Sequence, residues 1–286
     1  MKINNFSVLN FNNNISKRVS FNGIKNSNTP CLFVYDLDGT LANGTNEQIY
    51  KVLEISNARN AKVVYATGRG LEEFYMLQNE LLSKGCKLNS PDFLIASNGQ
   101  NIYTNSNGIL LKNYEYSQFI REKTNFDKKY ISKKISSINN DLKEIDSNSM
   151  MLKYNVPESI NMRELRKNIL DTLFQEKINV LCGYKGEGTD NQTLYIAPFN
   201  KAMAINYLKK NINIPYNEIL MVGNDNNDIS MAKLSQKGSK FICLNNSKPN
   251  LINVCEKLSQ ENKNIFFSRS SGAKGIIEGL LKFLSL

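Results

Sequence analysis

The sequence predicts an α/β protein: a doubly wound parallel sheet interrupted by a smaller α+β unit. Three observations carry this. Between residues 31 and 96, short apolar runs alternate with amphipathic stretches, the pattern of strand, helix, strand, helix, strand. After Pro198 the same alternation resumes and continues to the end of the chain. In between, strand-like runs follow one another directly, which parallel crossovers do not allow.

The elements follow in order. Residues 1–29 hold four basic residues, no Asp or Glu, and no long apolar run, and so read as a disordered leader. The acid-free basic character leaves an organelle transit peptide as the alternative. Cys31 to Tyr35 is apolar throughout, as in a strand buried on both faces. Thr45-Asn46 caps a helix to about Ala58, with Ile49, Val52 and Leu53 on one face. Ala61 to Ala66 is a second buried strand, Leu71 to Leu82 a helix stopped near Gly85, and Phe93 to Ala96 a third strand. Ile102-Tyr103 and Ile109 to Leu111 read as a hairpin around Asn-Ser-Asn-Gly. Residues 115–148 are polar and helical in pieces. Met150 to Val156 is a strand and Met162 to Phe174 an amphipathic helix. Val180 to Tyr184 and Thr193 to Ala197 are strands around the loop 185–190, read as a turn, with reach to a ligand as the alternative. Helix Lys201 to Lys210, strand Ile219 to Val222, helix Asp228 to Leu234, strands Phe241 to Leu244 and Ile265 to Phe267, and helix Gly275 to Leu284 complete the chain. The expected units are therefore a leader at 1–29, a core of 30–102 with 197–286, and an insert at 103–196.

Composition narrows the chemistry. At 286 residues the chain can bury a sizeable core, and no apolar run reaches membrane-spanning length. It contains no His, and its five cysteines are scattered without a Cys-x-x-Cys pair. A Cys/His zinc site and every His-dependent triad are excluded. Scattered cysteines in apolar surroundings read as reduced thiols of a cytoplasmic protein. The net charge of +10 favours an anionic substrate. No basic helix with interleaved aromatics is present, so no specific nucleic-acid partner is expected.

One stretch resists a purely structural reading. The apolar run 31–35 ends in Asp36-Leu37-Asp38-Gly39-Thr40. Two carboxylates at the carboxyl end of a buried strand need a positive partner, and that end is where ligands bind in open α/β sheets. At the end of the second strand, Thr67-Gly68-Arg69 offers a hydroxyl and backbone N–H groups for a phosphate. Lys201 opens a helix, and Gly223-Asn224-Asp225-Asn226-Asn227-Asp228 follows a strand and opens another. Taken singly, these read as an ordinary turn, a surface lysine and a polar helix start.

Together and in this order they resemble the four motifs of the haloacid dehalogenase superfamily of phosphotransferases. Ser97-Asn98-Gly99 resembles its Cof-like and sucrose-phosphatase-like branch. The resemblance implies a Rossmann-like core with an inserted type IIB cap at 103–196. It implies that Asp36 attacks phosphorus and that Asp38 serves as acid and then as base. Thr67, Gly68, Arg69, Asn98, Lys201 and Asn227 would hold phosphate or substrate. Asp36, Asp38, Asn224, Asp225 and Asp228 would serve a Mg2+ site. The family's fourth motif has Asp where this chain has Asn224, with Asp225 one place later, so either of the two is the candidate third ligand. Asp228 is expected to act through metal-bound water or Lys201.

The implied function is a magnesium-dependent phosphatase of a small phosphorylated metabolite, a sugar phosphate, acting through an aspartyl-phosphate. The alternatives are a sugar-phosphate mutase, since one such family shares cap and signature, and a non-catalytic binding protein. A monomer or homodimer in the cytoplasm, without membrane partners, is expected.

Overall fold

A computed structural model of the chain describes residues 31–145 and 150–284. The leader expected at 1–29 lies outside the described residues. The first run forms β1 (Cys31–Tyr35), buried at every position. It leads to α1 (Asn46–Ala58), whose start is closed by a capping box: Thr45 Oγ1 accepts from the Gln48 amide, and Gln48 Oε1 accepts from the Thr45 amide. Then come β2 (Ala61–Ala66), α2 (Leu71–Ser83) and β3 (Phe93–Ala96). The hairpin is β4 (Asn101–Ser106) and β5 (Ile109–Lys112), followed by α3 (Tyr114–Lys123). The insert continues with α4 (Lys128–Ile138), β6 (Lys143–Glu144), β7 (Leu152–Asn155), α5 (Met162–Gln175), β8 (Leu181–Lys185) and β9 (Thr193–Ala197). The chain closes with α6 (Lys201–Asn211), β10 (Ile219–Gly223), α7 (Ile229–Ala232), β11 (Lys240–Cys243), α8 (Pro249–Glu261), β12 (Ile265–Phe267) and α9 (Gly272–Leu284).

The large sheet runs β12-β11-β10-β1-β2-β3-β4-β5. From β12 to β3 all neighbours are parallel. Helices cover both faces: residues of α1, α2 and α9 pack on one, residues of α6, α7 and α8 on the other. The chain builds outward from β1 in one direction through β2 and β3, and in the other through β10 and β11. The strand order thus reverses at β1, and a crevice opens beyond its carboxyl end. That is where Asp36 sits. Among the described residues no helix is long and apolar enough to cross a membrane, and all five cysteines are buried free thiols.

The structure departs from the sequence reading in three places. The hairpin expected to begin the insert at 103 instead pairs antiparallel with β3 and extends the large sheet. The following helix stays with it: Tyr116 stacks on Phe119, meets Tyr207 of α6, and donates to the Gly99 carbonyl at 2.7 Å. By sheet membership the insert therefore starts beyond Lys123. Sequence adjacency reveals a hairpin but not the sheet it joins. Second, 249–261 is a helix, opened by Pro249 and burying Leu251, Cys255 and Leu258. The parallel pairing of β11 with β12 requires such a crossover. Third, the expected helix from Asp228 to Leu234 is α7 with short 3-10 turns on either side.

The second sheet, β6-β7-β9-β8, is antiparallel. One face carries Leu152, Tyr154, Leu194 and Ile196 against Ile131 and Ile135 of α4 and Leu165, Ile169 and Leu173 of α5. The other face carries Lys153, Gly183 and Tyr195. The loop 185–190 is a turn, with positive φ at Gly186 and Gly188 and Thr189 N donating to the Gly186 carbonyl.

One glycine ties the two halves of the core together. Gly99 has φ +100°, and a Cβ there would stand 2.3 Å from the Asn200 carbonyl oxygen at the start of α6. Gly99→Ala is therefore expected to lose about 1–3 kcal/mol of stability, read as a lowered midpoint in urea unfolding. An unchanged midpoint would show that α6 is not clamped there.

Candidate active site

The turn after β1 is shaped by backbone bonds. The Asp36 amide donates to the Val222 carbonyl of β10 at 3.1 Å, and the Leu41 amide returns to the Asp36 carbonyl at 3.1 Å. Gly39, at φ +71°, lets the chain reverse, and a Cβ there would fall 2.3 Å from Asn224 Nδ2. The Gly39 carbonyl accepts from Asn246 Nδ2 at 2.8 Å. The Thr40 hydroxyl donates to Asn224 Oδ1 at 3.1 Å. The loops after β1, β10 and β11 are thus bonded to one another around Asp36.

Lys201 enters this crevice from the first residue of α6, a helix capped by Asn200, whose side-chain oxygen accepts from the Met203 amide at 2.9 Å. Its ammonium is fully buried and donates to Asp36 Oδ1 at 2.8 Å and Asp228 Oδ1 at 2.7 Å. Burial works against the charge on Lys201, but Asp228 and then Asp36 outweigh it and hold the pKa above the ordinary value. Burial pushes Asp36 up to about 7; Lys201 opposes this and the Asp228 charge adds to it. The other oxygen of Asp228 accepts from the amides of Asn224 and Asp225, at 2.9 and 3.0 Å. Gly223 makes room for it, since a Cβ at 223 would lie 2.4 Å from the Asp228 carboxyl.

Both oxygens of Asp228 thus bond protein groups, one the lysine and the other the loop amides. It positions Lys201 and the loop. Asp225 is exposed and accepts from the Asn226 amide as a cap. Asn224 is buried against the Asp36 loop. Of the two alternatives left by the sequence, Asn224 is the one bonded to the loop that follows Asp36. Among the described residues no three His, Cys, Asp or Glu side chains converge as metal ligands. The donors beside Asp36 are oxygens, one carboxylate and one amide, which suit a hard cation with one charge fewer than two carboxylates would give.

On the phosphate side, Thr67 is buried and its hydroxyl oxygen accepts from the Arg69 amide at 3.1 Å. Gly68 lies under Asn98, whose Oδ1 would be 3.3 Å from a Cβ at 68. Asn98, at φ +58°, donates its amide to the Thr67 carbonyl at 2.9 Å and accepts from Asn227 Nδ2 at 2.9 Å. Asn227 Oδ1 is buried with no partner among the described residues. The motif residues after β2, β3 and β10 are therefore brought together. Arg69 is turned to the loop after β1. Its guanidinium grips Asp38, Nη2 to Oδ1 at 2.7 Å and Nε to Oδ2 at 3.0 Å. Asp38 is the exposed member of the carboxylate pair, with 52% of its side chain accessible.

Two participants were not singled out from sequence. Thr40 lay inside the quoted signature without a role. Asn246 lies 207 residues from its partner Gly39 and carried no signal.

The fold recurs among solved structures. The sucrose-phosphatase of Synechocystis, solved with sucrose and phosphate, is 21% identical with a TM-score of 0.69, over 89% of this chain and 98% of that one. A haloacid dehalogenase-like hydrolase of Bacillus subtilis is 16% identical with a TM-score of 0.62, over 90% and 92%. A Thermoplasma acidophilum protein is 18% identical with a TM-score of 0.55, over 90% and 99%. No curated protein sequence matches. The family model described as sucrose-6F-phosphate phosphohydrolase matches residues 29–284, and the chain therefore belongs to that family of haloacid dehalogenase-like phosphoric monoester hydrolases.

Proposed function

We propose that the chain hydrolyses a phosphorylated sugar through an aspartyl-phosphate on Asp36, with Mg2+ as cofactor. The observation that carries this is the burial of Lys201 between Asp36 and Asp228 at the point where the strand order reverses. A lysine ammonium removed from water and aimed at a carboxylate at a ligand crevice is an arrangement for neutralising transferring charge.

Asp36 attacks phosphorus in line, forming a carboxyl oxygen–phosphorus bond as the bond from phosphorus to the sugar oxygen breaks. Asp38 gives its proton to the departing sugar oxygen. Water then attacks the same phosphorus, Asp38 takes its proton, and Asp36 is restored as inorganic phosphate leaves. Arg69, bonded to the Asp38 carboxylate, suits the interval in which Asp38 is ionised. Lys201 neutralises charge beside Asp36, while Thr67 and the amides after β2 take phosphoryl oxygens. Mg2+, held by Asp36 and the Asn224 amide oxygen, would supply positive charge to those oxygens. The family description makes sucrose 6-phosphate the first ester to test.

Asp36→Asn is expected to abolish Mg2+-dependent phosphate release from that ester while the circular dichroism spectrum is unchanged. More than a small fraction of wild-type kcat would remove Asp36 as nucleophile. Return of phosphate to another hydroxyl of the sugar, in place of release, would assign a mutase.

The raised Asp36 pKa also predicts a sign. A folded pKa above the unfolded value means that the folded state holds the proton more tightly, so stability falls as pH rises from about 4 to about 7. Metal-free Asp36→Asn should therefore melt above metal-free wild type at pH 8. The gap should shrink toward pH 5; a gap that widens there would contradict the burial of an unfavourable charge.

At the third ligand, Asn224→Asp should lower the Mg2+ concentration giving half-maximal rate by about tenfold or more, whereas Asp225→Asn should leave it within a factor of about two. The reverse ranking would make Asp225 the ligand.

A further inference from the structure

The open face of the insert's sheet holds a feature that the catalytic machinery does not use. Along β9, Leu194 and Ile196 point into the insert's own core, so Tyr195 between them points to the opposite face. Its cross-strand neighbours on that face are Lys153 of β7 and Gly183 of β8. The Tyr195 ring does not stand up from the sheet. It lies across β8, so that a Cβ at Gly183 would meet its Cζ and Oη at 2.2 Å. Only glycine at 183 permits this pose. The ring, half-buried, is thereby presented on the sheet face away from both helices of the insert.

Its position relative to the site follows from connectivity and charge. The strand carrying Tyr195 runs on through Phe199, buried in the core, into Lys201. Among the charges that bear on the Tyr195 hydroxyl is Asp225, in the loop that also carries Asn224 and Asp228; burial is the largest influence, followed by Cys182 and then Asp225, with Arg166 opposing. The Tyr195 hydroxyl therefore lies within electrostatic reach of the loop after β10.

We propose that Tyr195, laid flat over Gly183, is the specificity-determining surface for the leaving group, and that it selects a ring: the apolar face of a sugar stacked on the tyrosine. This deepens the phosphatase reading above and rests on it. Aromatic side chains offer large, rigid contact area, and ligand pockets combine such apolar walls with a few polar groups that fix orientation. A sugar ring has one face rich in C–H groups and hydroxyls on its rim, which match a flat ring bordered by Lys153. A short acyclic ester would leave the platform bare.

The test compares kcat/KM for two probes, sucrose 6-phosphate and acetyl phosphate, which carries no ring, in wild type, Tyr195→Phe, Tyr195→Leu and Tyr195→Ala. The ratio of sugar ester to acetyl phosphate should fall at least tenfold in the Leu and Ala variants, through KM more than kcat, and stay within about threefold in Tyr195→Phe, which keeps the ring. Loss of both probes in parallel would mean a structural role and would overturn the proposal, as would an unchanged ratio or a Leu variant as good as Phe. If wild type cleaves acetyl phosphate and not sucrose 6-phosphate, the same ratio is taken with glucose 6-phosphate and phenyl phosphate. Cleavage of phenyl phosphate alone, with the ratio falling in Tyr195→Ala, would refute the sugar reading and support the ring platform. Cleavage of acetyl phosphate alone would refute the platform and leave the phosphatase intact.

Discussion

The structure depends on one buried ammonium. Lys201 touches Asp36, 165 residues away in sequence, and Asp228, 27 residues away. Each of the three ions would lose several kcal/mol of hydration on its own, which the opposite charges beside it offset in part. The triad thus pins the end of β1, the start of α6 and the loop after β10 into one unit. Its formal charge is −1, two carboxylates against one ammonium. That excess adds to what burial penalises in Asp36, and it is of the sign that a cation would offset and a phosphate ester would increase.

Asn224 becomes intelligible against this balance. A carboxylate at 224, pressed between Gly39 and the Thr40 hydroxyl, would add a third negative charge beside a single lysine. The amide keeps an oxygen directed at the loop without that charge. As a cation ligand, a neutral amide would add no charge to the buried cluster and would bind a hard cation less strongly than a carboxylate. Stability and cation affinity pull against each other here, as they commonly do at functional sites.

Much of the site was legible in the sequence because its groups sit where apolar runs stop. Asp36 and Thr67 follow strands buried on both faces, and a polar residue there has few structural reasons to exist. Lys201 was legible only from its place between the insert and the loop after β10; nothing in its neighbours distinguishes it from a surface lysine. The bonds that make the site work were not legible. The Asp38–Arg69 pair spans 31 residues, and the Asn246–Gly39 bond joins loops that periodicity cannot relate. In the fold, most of the alternating strands and helices are legible from their periodicity. The hairpin 101–112 is legible as a hairpin but not as part of the large sheet, because pairing partners are decided by what β3 leaves open at its edge. The helix 249–261 is hard to read although Leu251, Cys255 and Leu258 carry helical spacing; its polar intervening residues mask the stripe.

The insert and the catalytic lysine are joined more tightly than a separate lid would require. Only Pro198, Phe199 and Asn200 lie between β9 and α6. Phe199 is buried in the core cluster, and the Asn200 carbonyl is packed against Gly99. A connector held at two points cannot act as a free hinge, so the end of β9 is fixed relative to Lys201. Tyr195 and Lys201, six positions apart on one continuous segment, are thereby held at a set separation, the first proposed to meet the leaving group and the second the phosphoryl group. A substrate would accordingly be gauged by its length from phosphorus to ring, a constraint set by backbone rather than by any single polar contact.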